Sequence, residues 1–314
     1  MSASRWLAGF LVSMAVAAPA RADGLFHRLA RELRDHAAAL RGPTPPHPID
    51  VRFRAQKLGS LTLGAPLVAL AAADLDGDGK AELYAVTTRE VIAISAAGRL
   101  RELARVPFAG DPAVPQPRDP VGAAVVDRGV LVASASPWAR GLRVSWQKGV
   151  LHADPGDADF ALCATEHARL APGRNYFGDG TATYYGVQCA DVVDAHGAVV
   201  PARAQLSTSN KLAIELGRDR REYGNVGTAF AIGDLDRDGT PELAFAGAGA
   251  PGDSDHVVIV SFGDDVKKAK LWKRFVAEGV AGIAIGDVDG DGALEAIAAT
   301  RLAGATVVDF WRLN

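Results

Sequence analysis

Short apolar runs, separated by glycine, aspartate and proline, make up most of the chain after residue 50. The first group of runs lies between residues 67 and 108 and reads LVALAAADL, ELYAVTT, EVIAISA and LRELARVPF. Apolar runs of this length, bounded by turn residues, predict β-strands. Four short strands joined by tight turns predict one antiparallel meander. A series of such small sheets is typical of a sandwich, a barrel or a propeller.

The N-terminal region has a different pattern. Residues 1–22 contain Arg5, then the apolar run LAGFLVSMAVAA, and end in APARA, which is the pattern of a cleaved signal peptide. Residues 23–49 predict one short amphipathic helix, over 25–42, and then a linker, because the segment PTPPHP is too rich in proline to be helical. We therefore expect an exported protein, periplasmic or secreted, with no membrane span.

An acidic, glycine-rich motif occurs three times and gives the period of the predicted units. The copies read DLDGDGKAEL, DLDRDGTPEL and DVDGDGALEA, and they begin at Asp74, Asp234 and Asp287. The second and third copies begin 53 residues apart, and the first and second begin 160 residues apart, which is close to three periods. This period predicts two further units without the motif, near residues 127 and 180.

Residues 50–314 accommodate five units of this length, and a propeller of six blades stays open. Asp127 marks one unit with a shortened loop, whereas 150–222 is either a degenerate unit or an inserted β element. The last unit is one strand short, and the strand-like segment 51–58 (VRFRAQKL) is available to pair with it. Such pairing would close a ring and remove exposed sheet edges. The sequence therefore predicts an all-β protein, a propeller of five four-stranded blades closed by the N-terminal strand and preceded by a short helix.

The three acidic motifs carry hard oxygen donors at alternating positions of a loop, which is the ligand type that calcium prefers. A glycine after the third aspartate permits the tight turn that such a loop needs. The first motif supplies Asp74, Asp76, Asp78, the carbonyl of Lys80, and Glu82; the second supplies Asp234, Asp236, Asp238, the carbonyl of Thr240, and Glu242; the third supplies Asp287, Asp289, Asp291, the carbonyl of Ala293, and Glu295. We therefore predict about three calcium ions, with a mainly structural role, because each loop joins two strands of one unit.

Two other interpretations of the motifs are an EF-hand and a turn without an ion. An EF-hand requires an acidic residue at position 12 and a helix after the loop. Position 12 is Ala85, Phe245 or Ala298, and strand-like segments follow. A turn without an ion would explain one motif, but it does not explain the same five positions in three copies.

The motifs DLDGDGKAEL, DLDRDGTPEL and DVDGDGALEA, each preceded by a short apolar strand, resemble FG-GAP (VCBS-type) repeats, the calcium-loop blades of the integrin α-subunit propeller. Through the repeat period, the resemblance extends over 50–150 and 223–314. It implies a β-propeller with calcium in the loops between strands, in a family whose members act in adhesion, as sugar-binding modules or, less often, as enzymes. Two units without ligands, and a length too short for seven blades, distinguish this chain from integrins.

The net charge and the remaining motifs reduce the number of functions that the sequence supports. A formal net charge of −3 gives no reason to expect a nucleic acid or an anionic membrane as partner. The sequence contains no GxSxG, HExxH, GxGxxG or phosphate-loop pattern. Ser254, Asp255 and His256 are adjacent, and neighbours on a strand point to opposite faces and cannot form a catalytic relay. We therefore predict a binding, assembly or adhesion scaffold whose ligand is a protein or a carbohydrate.

The alternative function is a carbohydrate-binding module, or a carbohydrate-active or other hydrolytic enzyme, on the same scaffold. Its basis is a group of aromatic residues that is also compatible with packing between sheets. The group comprises Trp138, Trp146, Tyr176, Phe177, Tyr184 and Tyr185.

The chain has two cysteines, Cys163 and Cys189. Neither lies in a CxxC pattern, which argues against a metal or redox role. Because export brings the chain into an oxidising compartment, we predict a disulfide between them.

Overall fold

The structure is a computed structural model, and it describes residues 46–107, 123–127, 129–134, 142–155, 159–163, 166–170, 177–178, 183–207, 209–249, 253–303 and 305–314. In these residues it contains β-strands and one short 3-10 turn, Val266–Lys268, and no α-helix. The predicted signal peptide (1–22) and amphipathic helix (25–42) lie outside the described residues. No helix in the described part of the chain is long and apolar enough to cross a membrane.

The strands form five antiparallel sheets, which we number in chain order as blades 1 to 5. A leading strand, β1 (Gln56–Thr62), belongs to blade 5. Blade 1 consists of β2 (Leu67–Ala73), β3 (Glu82–Thr87), β4 (Glu90–Ser95) and β5 (Arg101–Pro107). Blade 2 consists of β6 (Ala123–Asp127), β7 (Val130–Ser134), β8 (Leu142–Gln147) and β9 (Val150–Pro155).

The third sheet has seven strands. It begins with β10 (Asp159–Cys163), β11 (Glu166–Leu170) and β12 (Phe177–Gly178), and continues with β13 (Thr183–Val193), β14 (Val199–Ser207), β15 (Leu212–Leu216) and β16 (Asp219–Tyr223). Blade 4 consists of β17 (Val226–Gly233), β18 (Glu242–Gly247), β19 (Asp255–Ser261) and β20 (Leu271–Phe275). Blade 5 consists of β21 (Gly279–Gly286), β22 (Glu295–Arg301), β23 (Val307–Arg312) and β1.

The five blades form a ring around a central axis. Strand β2 contacts β6 and β21, and β17 contacts β13 and β21. These five innermost strands line one cavity of about 130 Å³ at the centre, mainly with alanine, valine and isoleucine side chains. The structure is therefore a five-bladed β-propeller, as the sequence predicts.

Blade 5 takes its fourth strand from the beginning of the described chain. Strand β1 pairs antiparallel with β23, with Gln56 opposite Arg312 and Thr62 opposite Val307. The predicted strand, 51–58, overlaps the observed one only at its last three residues. The apolar side chains of Phe53 and Ala55, which lie within the predicted strand, pack against the apolar cluster between blades 4 and 5.

The segment 150–222, which allowed two interpretations, divides between two sheets. Its first residues form β9 of blade 2, and β13–β16 form a four-stranded meander that serves as blade 3. Three additional strands, β10–β12, join that meander beside β13.

Cys163 ends β10 and Cys189 lies on β13, two strands of one sheet that contact each other. This arrangement is compatible with the predicted disulfide, which stays a prediction.

The core lies between neighbouring blades. One apolar cluster joins blades 5 and 1, a second joins blades 1 and 2, a third joins blades 3 and 4, and a fourth joins blades 4 and 5. Small residues let the inner strands approach closely: a Cβ atom added at Gly282 would lie 2.6 Å from Cβ of Leu70, and one added at Gly286 would lie 2.8 Å from Cβ of Ala72. This packing holds β21 against β2 and so fixes the relative position of the loops that follow these strands.

Candidate metal centre

The three acidic loops lie on three consecutive blades of the ring. Each loop connects the first strand of its blade to the second, in blades 1, 4 and 5. The loops of blades 1 and 5 touch, since the main-chain N–H of Ala81 donates to the carbonyl oxygen of Asp287 at 2.6 Å. The loops of blades 4 and 5 are also close, because a Cβ added at Gly292 would lie 3.0 Å from Nη2 of Arg237. The three motifs therefore form one acidic arc on the ring.

The first aspartate of each loop organises the main chain around its carboxylate. Asp74 accepts hydrogen bonds from the main-chain N–H groups of Gly77, at 2.7 Å, and Gly79, at 3.0 Å. Gly79 has a positive φ of 94°, a conformation that favours glycine. The second and third aspartates cap the next turns: Asp76 accepts from the N–H of Asp78 at 3.0 Å, and Asp78 accepts from that of Lys80 at 2.8 Å. The repeated aspartates thus shape the loop as well as supply its charge.

The other two loops repeat this hydrogen-bond frame. Asp234 accepts from the main-chain N–H of Gly239 at 3.0 Å, and Asp287 accepts from that of Gly292 at 2.8 Å. The third aspartate accepts from the residue at position 7 at 2.7 Å in both loops, which places the N–H groups of Thr240 and Ala293 against Asp238 and Asp291.

The frames bring carboxylate oxygens together, but not the same set in each loop. In the first loop, oxygens of Asp74, Asp76, Asp78 and Glu82 lie within 4.8 Å of one another. In the second, the corresponding group is Asp234, Asp236 and Glu242; in the third, it is Asp287, Asp289 and Asp291. Asp238 and Glu295 thus stand apart from their groups, although the sequence placed them at equivalent positions.

The glutamate at position 9 fastens each loop to the second strand of its blade. Glu82, Glu242 and Glu295 are only 4%, 0% and 5% exposed. Each accepts a hydrogen bond from the main-chain N–H of the second residue of its own motif, at 3.3 Å, 2.9 Å and 2.9 Å respectively. Burying a carboxylate is costly unless hydrogen bonds or a cation stabilise its charge. These glutamates are therefore the positions where the loops most need a positive partner.

Burial raises the pKa of two of these glutamates to near neutrality. The pKa of Glu82 is raised to about 7, mainly by burial, with a further contribution from the charge of Asp76. The pKa of Glu295 is raised to about 7 by burial and by the charges of Asp289 and Asp291. At neutral pH, both carboxyl groups are thus poised between their charged and uncharged forms.

The first loop is tied to a neighbouring blade through Glu82. The hydroxyl of Tyr84 donates to Glu82 Oε2 at 2.8 Å, and Nε1 of Trp146, on β8 of blade 2, donates to that hydroxyl at 2.8 Å. Burial also raises the pKa of Tyr84, so it stays a donor. Trp146 belongs to the aromatic group of the alternative hypothesis, and here it supports the acidic loop.

A lysine that the sequence did not indicate enters the second loop. The Nζ atom of Lys270 lies 2.7 Å from Glu242 Oε1 and also contacts Asp236 Oδ2. Ser261 donates to the same Glu242 oxygen at 2.7 Å. Burial works to lower the pKa of Lys270, but its bonds to the two carboxylates outweigh burial and raise it. Lys270 lies directly before β20, at no repeating distance from the motif, so no spacing rule could identify it.

The third loop also has a basic neighbour. Nη1 of Arg312, the last residue of β23, lies 3.2 Å from Asp289 Oδ2. Arg312 pairs with both Gln56 and Ile297, so it sits between β1 and β22. The pairing of β1 with β23 therefore helps to place the Arg312 guanidinium against the acidic loop of blade 5.

The structure describes only some of the other residues that the sequence analysis names. Asp127 ends β6 and pairs with Val130 of β7, so only two residues separate these strands in blade 2, where blades 1, 4 and 5 have an acidic motif. Asp255 is buried and accepts from the main-chain N–H groups of His256 and Val280, both at 2.8 Å, which connects blades 4 and 5. Trp138 and Tyr176 lie outside the described residues, as do the side chains of Phe177, Tyr184 and Tyr185.

No family model matches this chain, and no curated protein matches it. Among solved structures, crystal structures of BBS1N in complex with ARL6DN, soaked with lead or mercury, are 12% identical, cover 84% of this chain and 98% of that chain, and have TM-scores of 0.47 and 0.46. The crystal structure of AofleA from Arthrobotrys oligospora is 10% identical, covers 85% of this chain and 89% of that chain, and has a TM-score of 0.43. We draw no functional conclusion from these similarities, and the resemblance to FG-GAP repeats stays a prediction.

Proposed function

We propose that this protein is an exported, calcium-stabilised propeller of the FG-GAP type that acts as a scaffold for binding, assembly or adhesion. The observation that carries the calcium proposal is the first loop, where oxygens of four carboxylates lie within 4.8 Å of one another and one of them, Glu82, is buried. Such a group is unfavourable without a cation, because like charges repel and burial penalises the charged form.

The size of the group fits calcium. Calcium binds oxygen at about 2.3–2.6 Å, so two oxygens on opposite sides of one ion lie at most about 5.2 Å apart. The first group meets this limit with carboxylate oxygens from Asp74, Asp76, Asp78 and Glu82. All of these donors are hard oxygens, as calcium requires, and none is the nitrogen or sulfur that softer metals prefer. A bound ion would neutralise the group and hold the loop against the start of β3.

We propose a structural role for the ion, because of where the loops lie. Each loop joins two strands of one blade, and the bond between Ala81 and Asp287 joins two such loops across a blade boundary. Ions in these loops would stabilise the boundary between blades 1 and 5. We also propose that β1, as the fourth strand of blade 5, closes the ring. Extracellular calcium modules bind with dissociation constants of about 0.1–1 mM, which suits permanent occupancy outside the cell. The signal-like residues 1–22 support export to the periplasm or beyond.

For the binding role, the shape of the ring favours an outer surface. The central cavity, about 130 Å³, is smaller than the roughly 300–1,000 Å³ of typical small-molecule sites. We therefore propose that a protein or carbohydrate ligand binds on the exposed loops or blade edges. Among the described residues, no arrangement favours the alternative of a hydrolytic enzyme over a binding scaffold.

Calorimetric titration of calcium into the chelator-treated protein without residues 1–22 tests this proposal. We expect saturable binding of more than one ion per chain, together with a melting temperature that rises with calcium concentration. Magnesium at the same concentrations provides the comparison, since it accepts fewer and more regularly placed ligands. Absence of calcium binding would show that the loops are turns without ions, and the resemblance to FG-GAP repeats would then support only the fold.

A further inference from the structure

The second acidic loop already contains a positive charge from the protein itself. The ammonium group of Lys270 contacts Asp236 and Glu242, which are two of the three carboxylates gathered in that loop. Its nitrogen lies 2.7 Å from Glu242 Oε1, close to the distance at which calcium would bind the same oxygen. Two cations cannot share this position, because they would overlap and repel each other. The ammonium and a calcium ion are therefore mutually exclusive at these oxygens.

Several contacts hold Lys270 in place. Its main-chain N–H donates to the carbonyl oxygen of Ile259 at 2.9 Å, which anchors the residue at the start of β20. Its Nζ atom lies 5.4 Å from the centre of the Phe53 ring, a favourable cation–π distance. The side chain is only 23% exposed. The ammonium is thus a fixed part of the loop, and not a mobile surface charge that happens to lie nearby.

Glu242 is well satisfied in this arrangement. It is fully buried, and it accepts from the main-chain N–H of Leu235, from Ser261 and from Lys270. Only Asp236 keeps an incomplete environment, since its buried Oδ1 atom has no hydrogen-bond partner. Asp236 and Glu242 therefore already have a positive partner without an ion, yet Asp236 retains an oxygen that an ion could bind if the ammonium were absent.

The equivalent position of blade 1 carries no charge. Lys270 directly precedes the fourth strand of blade 4, and Leu100 directly precedes the fourth strand of blade 1. Leu100 is buried in the cluster between blades 5 and 1. Of these two blades, only blade 4 has a lysine at this position. Blade 1 also has an acidic loop but has an apolar residue there, so the fold does not require a charge at this position.

From this geometry, and on the basis of the calcium role proposed above, we propose that Lys270 is the resident cation of the second loop and closes that loop to calcium. The three motifs then have different roles in spite of their matching sequences. The second loop is stabilised by the protein's own ammonium at any calcium concentration. Calcium-dependent stabilisation is left to the loops of blades 1 and 5, so the unaltered protein binds two ions and not three.

The decisive comparison is the calcium stoichiometry of the unaltered protein, Lys270→Met and Lys267→Met. Methionine keeps the length of the lysine stem and removes the charge. Lys267 is an exposed residue three positions earlier, so its replacement changes the net charge equally outside the loop. We expect Lys270→Met to bind one more calcium ion per chain than the other two proteins. Adding Asp236→Ala to Lys270→Met should remove the additional ion. Equal stoichiometry in all three proteins would overturn the proposal.

The same titrations separate this inference from the calcium proposal on which it rests. Ions in the unaltered protein without a gain in Lys270→Met would overturn the role of Lys270 alone. No ion in the unaltered protein and one in Lys270→Met would overturn the calcium proposal for the natural chain and support the role of Lys270. No ion in either protein would overturn both.

Thermal melting provides the second measurement. In chelator, Lys270→Met should melt at a lower temperature than Lys267→Met, because Asp236 and Glu242 then lack a positive partner. Calcium should raise the melting temperature of Lys270→Met by more than it raises that of the control. If circular dichroism shows that Lys270→Met is unfolded at all calcium concentrations, Lys270→Gln, which keeps a hydrogen-bond donor, takes its place in both measurements. Identical calcium responses of the variant and the control would contradict the proposal.

Discussion

At the scale of single residues, the three position-9 glutamates show what motif spacing determines and what it leaves open. Spacing predicted that Glu82, Glu242 and Glu295 would reach back to their loops, and each accepts the same main-chain hydrogen bond. Their second partners differ: Tyr84, two residues along the same strand, for the first, and Lys270, directly before β20, for the second. Spacing could not identify these partners, because the other two copies have Ala244 and Ile297 where the first has Tyr84, and because Lys270 lies outside the motif.

The raised pKa values of Glu82 and Glu295 predict a pH dependence of the calcium-free protein. Both pKa values are about 7 in the folded state, compared with an ordinary value of 4.5. The folded state then binds more protons than the unfolded state between these values, so stability falls as pH rises through this interval. We expect the melting temperature in chelator to be higher at pH 5 than at pH 7.5. Scanning calorimetry over this range measures it.

Two comparisons make this pH prediction specific. Glu82→Gln removes one titrating group, so the dependence on pH should become weaker. Saturating calcium should counteract the loss at pH 7.5, because the ion binds the charged carboxylates and so favours the release of their protons. A melting temperature in chelator that rises steadily from pH 5 to 7.5 would show that other groups control the stability.

At the scale of strands and loops, local patterns were sufficient where a strand and its turn lie in one continuous segment. The four apolar runs between residues 67 and 108 correspond to β2–β5. The strand predicted at 51–58 overlaps the observed strand only in part. Apolar residues also occur where a chain packs across a blade boundary without forming a strand, as Phe53 does. For 150–222, the sequence left a degenerate unit and an inserted β element both open, because this segment does not follow the repeat; the segment contains the meander β13–β16 and the additional strands β10–β12.

The third loop, as an element, supports a prediction about ion binding. Asp289 belongs to its carboxylate group, and Asp289→Ala should weaken calcium binding and lower the melting temperature in calcium. The remaining carboxylates would hold an ion less tightly, and Arg312 would lose its partner in the loop. Asp127→Ala is the control, because the sequence that follows β6, Arg128-Gly129, lacks the repeated aspartates of the acidic motif. Calorimetry with both variants provides the test, and an unchanged number and affinity of ions in Asp289→Ala would contradict the prediction.

At the scale of the whole molecule, the number of blades followed from the spacing of the motifs, whereas the pairing of β1 depends on contacts between the two ends of the described chain. Lys57 and Ser60 on β1 both bind the carboxylate of Asp309 on β23, at 2.6 Å and 2.5 Å. Leu58 and Leu61 pack against the cluster between blades 5 and 1. Such contacts, between residues some 250 positions apart, leave no periodic signal in a sequence.

Removal of β1 tests its contribution to the ring. A chain that begins at residue 63 would expose the edge of β23 and lose the contacts to Asp309. A chain that begins at residue 46 keeps the pairing of β1 with β23 and these contacts. Unpaired strand edges also promote association between molecules. We therefore expect the shorter chain to melt at a lower temperature and to associate, as measured by calorimetry and light scattering. If the two chains melt alike and both remain monomeric, β1 contributes little, and the packing between blades alone maintains the ring.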